Sequence, residues 1–414
     1  MRKAGNRGQN PSPREQREPP EEFLIAGGGI GGLAAALALA RKGRRVRVLE
    51  KAAEFGEIGY GIQMGPNVAR MLEHLGILAP IEALAFFPDR LIFADALDNT
   101  EVTRIDVGKF FRERYGYRYF VIHRTDLHGQ ILEACRKHDG VALETSRGLA
   151  AFETRTDRVL VRCEGGQEYE GAALIGADGL RSPTREAVVG DGAPRVSGHY
   201  VYRGVVPTQE ISDQSRIDAM TIWGGPDLHL VQYRLRGGTV MNNVATIVSR
   251  RHIRGEPDAG APDELESTFA ACDPSVKDML RYVSRERNWV LHDREPVANW
   301  SCGRVTLLGD AAHPTLQYLA QGAQMAIEDA VVLAENVADC ATAGGVDYAR
   351  AFLAYQHERM NRTARVVLSS RFFGEWFHVA GGARLLRNEL GRARNPGNCW
   401  EADWLYRGIA RSLA

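Results

Sequence analysis

One stretch, residues 23–51 (FLIAGGGIGGLAAALALARKGRRVRVLEK), constrains the chain more than any other. An apolar strand runs into a glycine turn, an alanine- and leucine-rich helix, and a second apolar strand that ends in Glu50. Gly27, Gly29 and Gly32 fit the G-x-G-x-x-G pattern. The first allows a tight turn, the second lets backbone N–H groups approach a pyrophosphate, and the third permits close helix–strand packing. The helix N-terminus then faces the anion. Glu50 follows at about 20 residues, the spacing of a carboxylate that accepts hydrogen bonds from ribose hydroxyls. Together these features read as a dinucleotide clamp, and the stretch alone does not choose between NAD and FAD.

At 414 residues the chain exceeds the size at which single cores stop growing, so two domains or one domain with a large insertion are expected. Lys plus Arg equals Asp plus Glu at 52 each, which argues against a nucleic-acid or membrane-surface protein working by bulk electrostatics. The expected partner is a small molecule. Six scattered cysteines form no C-x-x-C, so no zinc site, redox dithiol or disulfide framework is indicated, and the reducing cytoplasm fits best. No apolar run is long enough for a membrane span. Residues 1–22 are polar and rich in proline and arginine, without a secretory apolar run, and read as a disordered tail. Glu15, Glu18, Glu21 and Glu22 weigh against a transit peptide.

Beyond the clamp, residues 57–76 read as a glycine-rich loop running into a helix. Residues 90–107 and 117–122 alternate and are β-rich, so strands are expected. A helix opens at 123–132 with Thr125 or Asp126 as its cap, and Arg124 at its start is placed for a phosphate. A hairpin at 159–173 precedes a buried strand that delivers Asp178 into a turn. Strands at 201–206, 219–223, 228–235 and 243–248, with a helix near 263–272, lose the strand–helix rhythm and form an antiparallel second domain. Period-two alternation places His229, Val231 and Tyr233 on one face of a strand. Residues 304–335 repeat the opening geometry. A strand ends at Gly309 and Asp310, and a loop leads into a long helix near Gly322, again pairing a strand-end carboxylate with a helix N-terminus. Helices continue over 347–371, and Trp400 and Trp404 suggest a tail that packs.

Three motifs thus stand in order: the Gly27–Gly29–Gly32 clamp with Glu50, GADGLR at 176–181, and LGDAAHP at 308–314. With them the chain resembles the single-component FAD-dependent aromatic hydroxylases, the family of 4-hydroxybenzoate 3-hydroxylase and salicylate hydroxylase. The resemblance runs from residue 23 to the C-terminus. It implies an α/β fold, a Rossmann-like FAD-binding domain with an inserted antiparallel-sheet substrate domain and a helical C-terminus. The implied division is an FAD-binding part over 23–195, with strands 90–122 joining the substrate sheet, a substrate domain over 196–289, a second FAD-binding part over 290–375, and a C-terminal segment over 376–414. By the same resemblance Gly27, Gly29, Gly32 and Glu50 hold the ADP half of FAD, Arg124 reaches the pyrophosphate, and Asp310 binds the ribityl chain. Asp178 belongs to a motif serving both FAD and the nicotinamide cofactor.

The family usually carries a proline four residues beyond the motif histidine, where this chain has Gln317. With His229, Tyr233 and the segment 387–396, this resembles the 3-hydroxybenzoate 6-hydroxylase subgroup. That resemblance implies NADH and O2 as cosubstrates, gentisate (2,5-dihydroxybenzoate) as product, and a homodimer. His229 is the expected base, since an imidazole suits general-base work near neutrality. Tyr233 and Gln317 are expected to orient the phenol, and the helix starting at Gly322 to favour negative charge on the reduced flavin. The resemblance implies FAD as the tightly bound cofactor; no second clamp is present in the sequence, and the family pattern implies that NADH visits a transient site. No metal is expected. The rival expectations are a decarboxylating salicylate 1-hydroxylase or another phenolic-acid hydroxylase and, from another class, a flavoprotein that binds aromatic ligands without turning them over.

Overall fold

The computed structural model describes residues 21–56, 59–213, 218–409 and 413. Apart from Glu21 and Glu22, the expected tail lies outside the described residues, as do Glu57 and Ile58 of the glycine-rich loop. The first sheet has six strands in the order Ser301–Cys302, Val305–Leu307, Ala173–Gly176, Phe23–Ala26, Val46–Leu49, Val141–Glu144. All pair in parallel except the edge strand Ser301–Cys302. Phe23–Ala26 and Ala173–Gly176 at its centre are wholly buried, which is why they read as unbroken apolar runs. The helix Ile30–Arg41 follows the first strand and buries nearly every residue. The glycine turn owes its shape to steric limits. Gly27 has φ +107°, and a Cβ there would lie 2.4 Å from the Ala177 carbonyl oxygen. A Cβ on Gly32 would lie 2.0 Å from the Gly27 carbonyl oxygen, so the third motif glycine lets the helix seat against the turn.

The second sheet has seven strands in the order Trp289–Asp293, Arg195–Pro207, Val240–Val248, Leu228–Leu235, Met220–Gly225, Arg90–Asp95, Glu101–Asp106. It is antiparallel except where Met220–Gly225 pairs with Arg90–Asp95. Strands from both flanks of the inserted segment therefore complete it. Phe120–His123 does not join; it pairs with Gly61–Met64 in a separate two-stranded sheet. Alternation separates the two faces. Leu228, Leu230, Ala245 and Ile247 pack with Tyr202, Leu265 and Phe269 in one core cluster, whereas Val201, Val231, Tyr233 and Val244 belong to another.

The helix Arg124–Arg136 starts differently from expectation. Its N-cap is His123 in extended backbone, with no side-chain cap. Thr125 Oγ1 instead bonds His123 Nδ1 at 2.6 Å, and Asp126 pairs with Arg236 at 2.8 Å, so neither side chain is free to cap. In the tail, the Arg365 guanidinium lies 4.1 Å above the Trp404 ring, while Trp400 is exposed. No helix among the described residues is long and apolar enough to cross a membrane.

The C-terminal helices are held by buried charge. Arg359 on Tyr348–Phe377 meets Asp329 at 2.6 Å and Glu328 at 2.8 Å on Gly322–Asp339, with all three side chains fully buried. Arg362 adds a bond to Glu328 at 2.7 Å, and His313 Nε2 reaches Asp329 at 2.6 Å. On the next helix, Gly381–Arg392, Arg384 and Arg387 close on the buried Asp95 of the second sheet at 2.7 and 3.0 Å. Although burial opposes ionisation, the cations around Asp329 and Glu328 hold both carboxyls below the usual carboxylate range. Depressed carboxyl pKa values contribute stability that is present above the unfolded value near 4 and is lost as pH falls through the folded values. Asp329→Asn should therefore lower the unfolding free energy by about 3–5 kcal/mol at neutral pH and flatten its fall in acid. Urea denaturation across pH checks this; a loss below about 1 kcal/mol would contradict it.

Candidate active site

A cavity of about 1220 Å³ runs from the glycine turn to the second sheet. Gly27, Gly29, Glu50, Arg124, Asp178, Asp310 and Gly322 line one part; His229, Tyr233 and Gln317 line another. Every residue expected at the site contributes to this wall except Gly32, which packs behind the turn. The volume exceeds the ~300–1,000 Å³ usual for a single ligand, as a dinucleotide and a substrate sharing one chamber require.

The nucleotide part fits FAD. Glu50 accepts hydrogen bonds from the Gly28 N–H at 2.6 Å and the Ala52 N–H at 2.8 Å, which fixes its carboxylate at the strand end beside the turn. No side chain caps the helices Ile30–Arg41 and Gly322–Asp339, and neither has an acidic residue in its first turn. Gly29 and Gly322 at their starts both line the cavity, so two positive dipole ends face it. The Arg124 N–H donates to the Tyr60 carbonyl at 2.8 Å, which sets the start of its helix against the cavity wall. Asp178 uses its carboxylate locally: it accepts from the Ser182 hydroxyl, from the Thr184 N–H at 3.1 Å and from the Thr184 hydroxyl at 2.7 Å. The buried Arg185 just beyond donates to the carbonyls of Ala311 and Ala312 at 2.9 and 2.6 Å. The 176–181 and 308–314 motifs are thereby clamped together. His313 of the latter turns inward to Asp329, which also accepts the Gly309 N–H at 3.0 Å.

The other part is built on the second sheet. His229 lies opposite Thr246, Val231 opposite Val244 and Tyr233 opposite Asn242, and the next strand adds Val201 and Arg203 in the same rows. His229 is 2 % exposed, and its Nδ1 meets Nε2 of His378 at 2.8 Å. No hydrogen bond from the described residues engages its Nε2, and the ring lines the cavity. Burial, reinforced by His199 and Arg203, pushes its pKa down to about 3, so the imidazole is neutral at physiological pH. Burial drives the Tyr233 hydroxyl the other way, well above its usual value, and keeps it protonated. Gln317 is committed within the protein. Its Oε1 accepts from Arg203 Nη2 at 2.9 Å, and its Nε2 donates to Thr246 Oγ1 at 3.0 Å. The loop then reverses at Ala320, a non-glycine residue in the left-handed region (φ 53°, ψ 33°), before the Gly322 helix begins.

Two further site residues escape the sequence reading. Arg203 lines the cavity, and no carboxylate among the described residues pairs with it. Period two placed it on the face of Val201 and Val205, a lone charge among apolar residues, and that signal was available. His378 had no such signal: it follows a long helix, 149 residues from its partner His229.

The family model for an FAD binding domain matches residues 21–370. The chain is 45% identical over 384 residues to the 3-hydroxybenzoate 6-hydroxylase of Polaromonas naphthalenivorans (strain CJ2), covering 92% of this chain and 95% of that protein. It is 43% identical to the 3-hydroxybenzoate 6-hydroxylase of Klebsiella oxytoca, covering 92% and 96% of the two chains. Among solved structures, Klebsiella pneumoniae HpxO complexed with FAD and uric acid superposes with a TM-score of 0.78 at 26% identity, over 90% of this chain and 93% of that one. The glycine clamp, the paired helix N-termini and the shared chamber thus belong to a chain of the FAD-binding-domain family, a single-component flavoprotein aromatic hydroxylase.

Proposed function

We propose that the protein uses NADH and O2 to hydroxylate 3-hydroxybenzoate para to its hydroxyl, giving 2,5-dihydroxybenzoate. The observation that carries this is His229, a neutral buried imidazole whose Nε2 opens onto the chamber that also holds the FAD clamp. Relatives named 3-hydroxybenzoate 6-hydroxylase across most of the chain support the same substrate. FAD, which the Gly27–Gly29 turn, Glu50 and the start of the Gly322–Asp339 helix would hold, would supply the redox chemistry that activates O2.

The chain's own residues prepare the ring. A phenolate is a far stronger carbon nucleophile than a phenol, and its charge appears at the ortho and para carbons. His229 Nε2 accepts the phenolic proton and so raises the electron density at carbon 6, para to the hydroxyl. The Tyr233 hydroxyl, which stays protonated, donates a hydrogen bond to the substrate. Arg203 supplies the cation for the substrate carboxylate, because charge-assisted guanidinium–carboxylate contacts are strong and directional. Gln317 holds that guanidinium by accepting one of its N–H groups. With carboxylate and phenol held at separate points, one edge of the ring is presented for attack. The uncapped start of Gly322–Asp339 favours negative charge on the bound cofactor.

Three outcomes are expected. Incubation with NADH, O2 and 3-hydroxybenzoate should yield 2,5-dihydroxybenzoate, identified by chromatography and NMR; catechol alone or hydrogen peroxide alone would refute the proposal. His229→Ala should slow hydroxylation by roughly 10²–10⁴-fold while flavin reduction falls far less. Rapid mixing separates the two half-reactions, and equal losses would count against the base. Arg203→Gln should raise KM for 3-hydroxybenzoate about 10- to 100-fold, the value of one charged hydrogen bond, with little effect on binding of unsubstituted phenol. Equal weakening for both ligands would remove Arg203 from the carboxylate subsite.

A further inference from the structure

His378 completes a buried pair of imidazoles. It is 7 % exposed, and its ring plane lies 22° from that of His229 with centroids 5.1 Å apart, so the Nδ1···Nε2 contact of 2.8 Å runs close to both ring planes. The backbone pins it there. Its N–H donates to the Glu375 carbonyl at the end of the long helix, and its carbonyl accepts the Asp227 N–H just ahead of the strand that carries His229.

A contact between two neutral imidazoles holds one hydrogen, and its position decides what His229 can do. If His378 donates, His229 carries its own proton on Nε2 and presents a donor to the cavity, which is useless for taking a phenolic proton. If His229 donates from Nδ1, its Nε2 lone pair faces the cavity. Among the described residues nothing selects between these states, since His378 Nδ1 is buried without a partner in either. A phenolic O–H arriving at Nε2 does select, because it needs an acceptor there.

We propose that His378 is a positioning residue for hydroxylation: it accepts the His229 Nδ1–H, holds His229 in the base-competent tautomer and shares the proton taken from the phenol. This rests on the assignment of His229 as the base. In the step, the phenolic O–H bond breaks, an Nε2–H bond forms on His229, and the positive charge spreads over two rings joined by one hydrogen bond. Among the described residues no carboxylate contacts either ring to serve that purpose. The titratable and charged side chains around the pair are His199, whose ring lies 5.3 Å from His378, Tyr318, 5.3 Å from His229, and the cations Arg203 and Arg387, the latter held by Asp95 at 3.0 Å. With cations nearby, a lone buried imidazole here is a poor base. An accepting partner raises its basicity, as outer-shell acceptors do for other functional histidines.

The test is a pH titration of bound 3-hydroxybenzoate in the FAD-loaded protein, without NADH, following the ultraviolet absorbance of its phenolate. His378→Phe, which offers no acceptor, should move the transition up by about one pH unit or more, the bound phenol giving up its proton tenfold less readily. His378→Gln, whose Oε1 can take the Nδ1–H, should restore most of it. If His378→Phe does not retain FAD, His378→Asn, too short to reach His229, carries the same expectation. A transition unchanged in the Phe or Asn variant, or equally displaced in the Gln variant, would overturn the proposal. His229→Ala separates this from the base assignment: a shift there without one at His378 removes only His378, and no shift in either removes the base itself.

Discussion

Asp329 has no contact with solvent, and both of its oxygens are engaged: one by His313 and the Gly309 N–H, the other by Arg359. Three separate parts of the chain converge there, the motif loop that carries Asp310, the helix that begins at Gly322, and the long C-terminal helix that ends at His378. An ion placed this deep is tolerable only when fully paired, so the cluster admits one relative placement of those parts. From that placement follow the orientation of the second helix N-terminus, the course of the loop bearing Gln317, and the delivery of His378 to the second sheet.

The two sheets do different work on one chamber. The parallel sheet ends in carboxylates and uncapped helix starts, a surface suited to phosphates and sugar hydroxyls. The antiparallel sheet offers its alternate residues, so His229, Tyr233 and Arg203 come from neighbouring strands at fixed register. Gln317 bridges them, since its loop belongs to the first half while its amide bonds Arg203 and Thr246 of the second. On the proposed function the clamp serves the cofactor, while the substrate meets the residues of the antiparallel sheet.

Local patterns were legible in the sequence because their causes are local. Gly27, Gly32 and Glu50 follow from a turn and a strand end, and Asp310 with Gly322 follows from the same geometry repeated. His229 and Tyr233 were placed on one face by the period of a strand. What was hidden depends on distant packing. Asp178 lines the chamber, yet its carboxylate caps its own turn because Ser182 and Thr184 fold back on it. Thr125 and Asp126 looked like caps, but each found a tertiary partner. His313 was given no role within its motif, and only the fold brings Asp329 beneath it. His378 has no local mark at all.

The central claim is that the phenol goes to His229 and the carboxylate to Arg203, with the ring between them in the FAD chamber. A crystal structure of the FAD-loaded protein with 3-hydroxybenzoate tests it most directly. The account predicts the phenolic oxygen about 2.6–3.2 Å from His229 Nε2 and the carboxylate paired with the Arg203 guanidinium. A ligand bound in the reverse sense, with its carboxylate against His229, or bound outside the chamber, would contradict it.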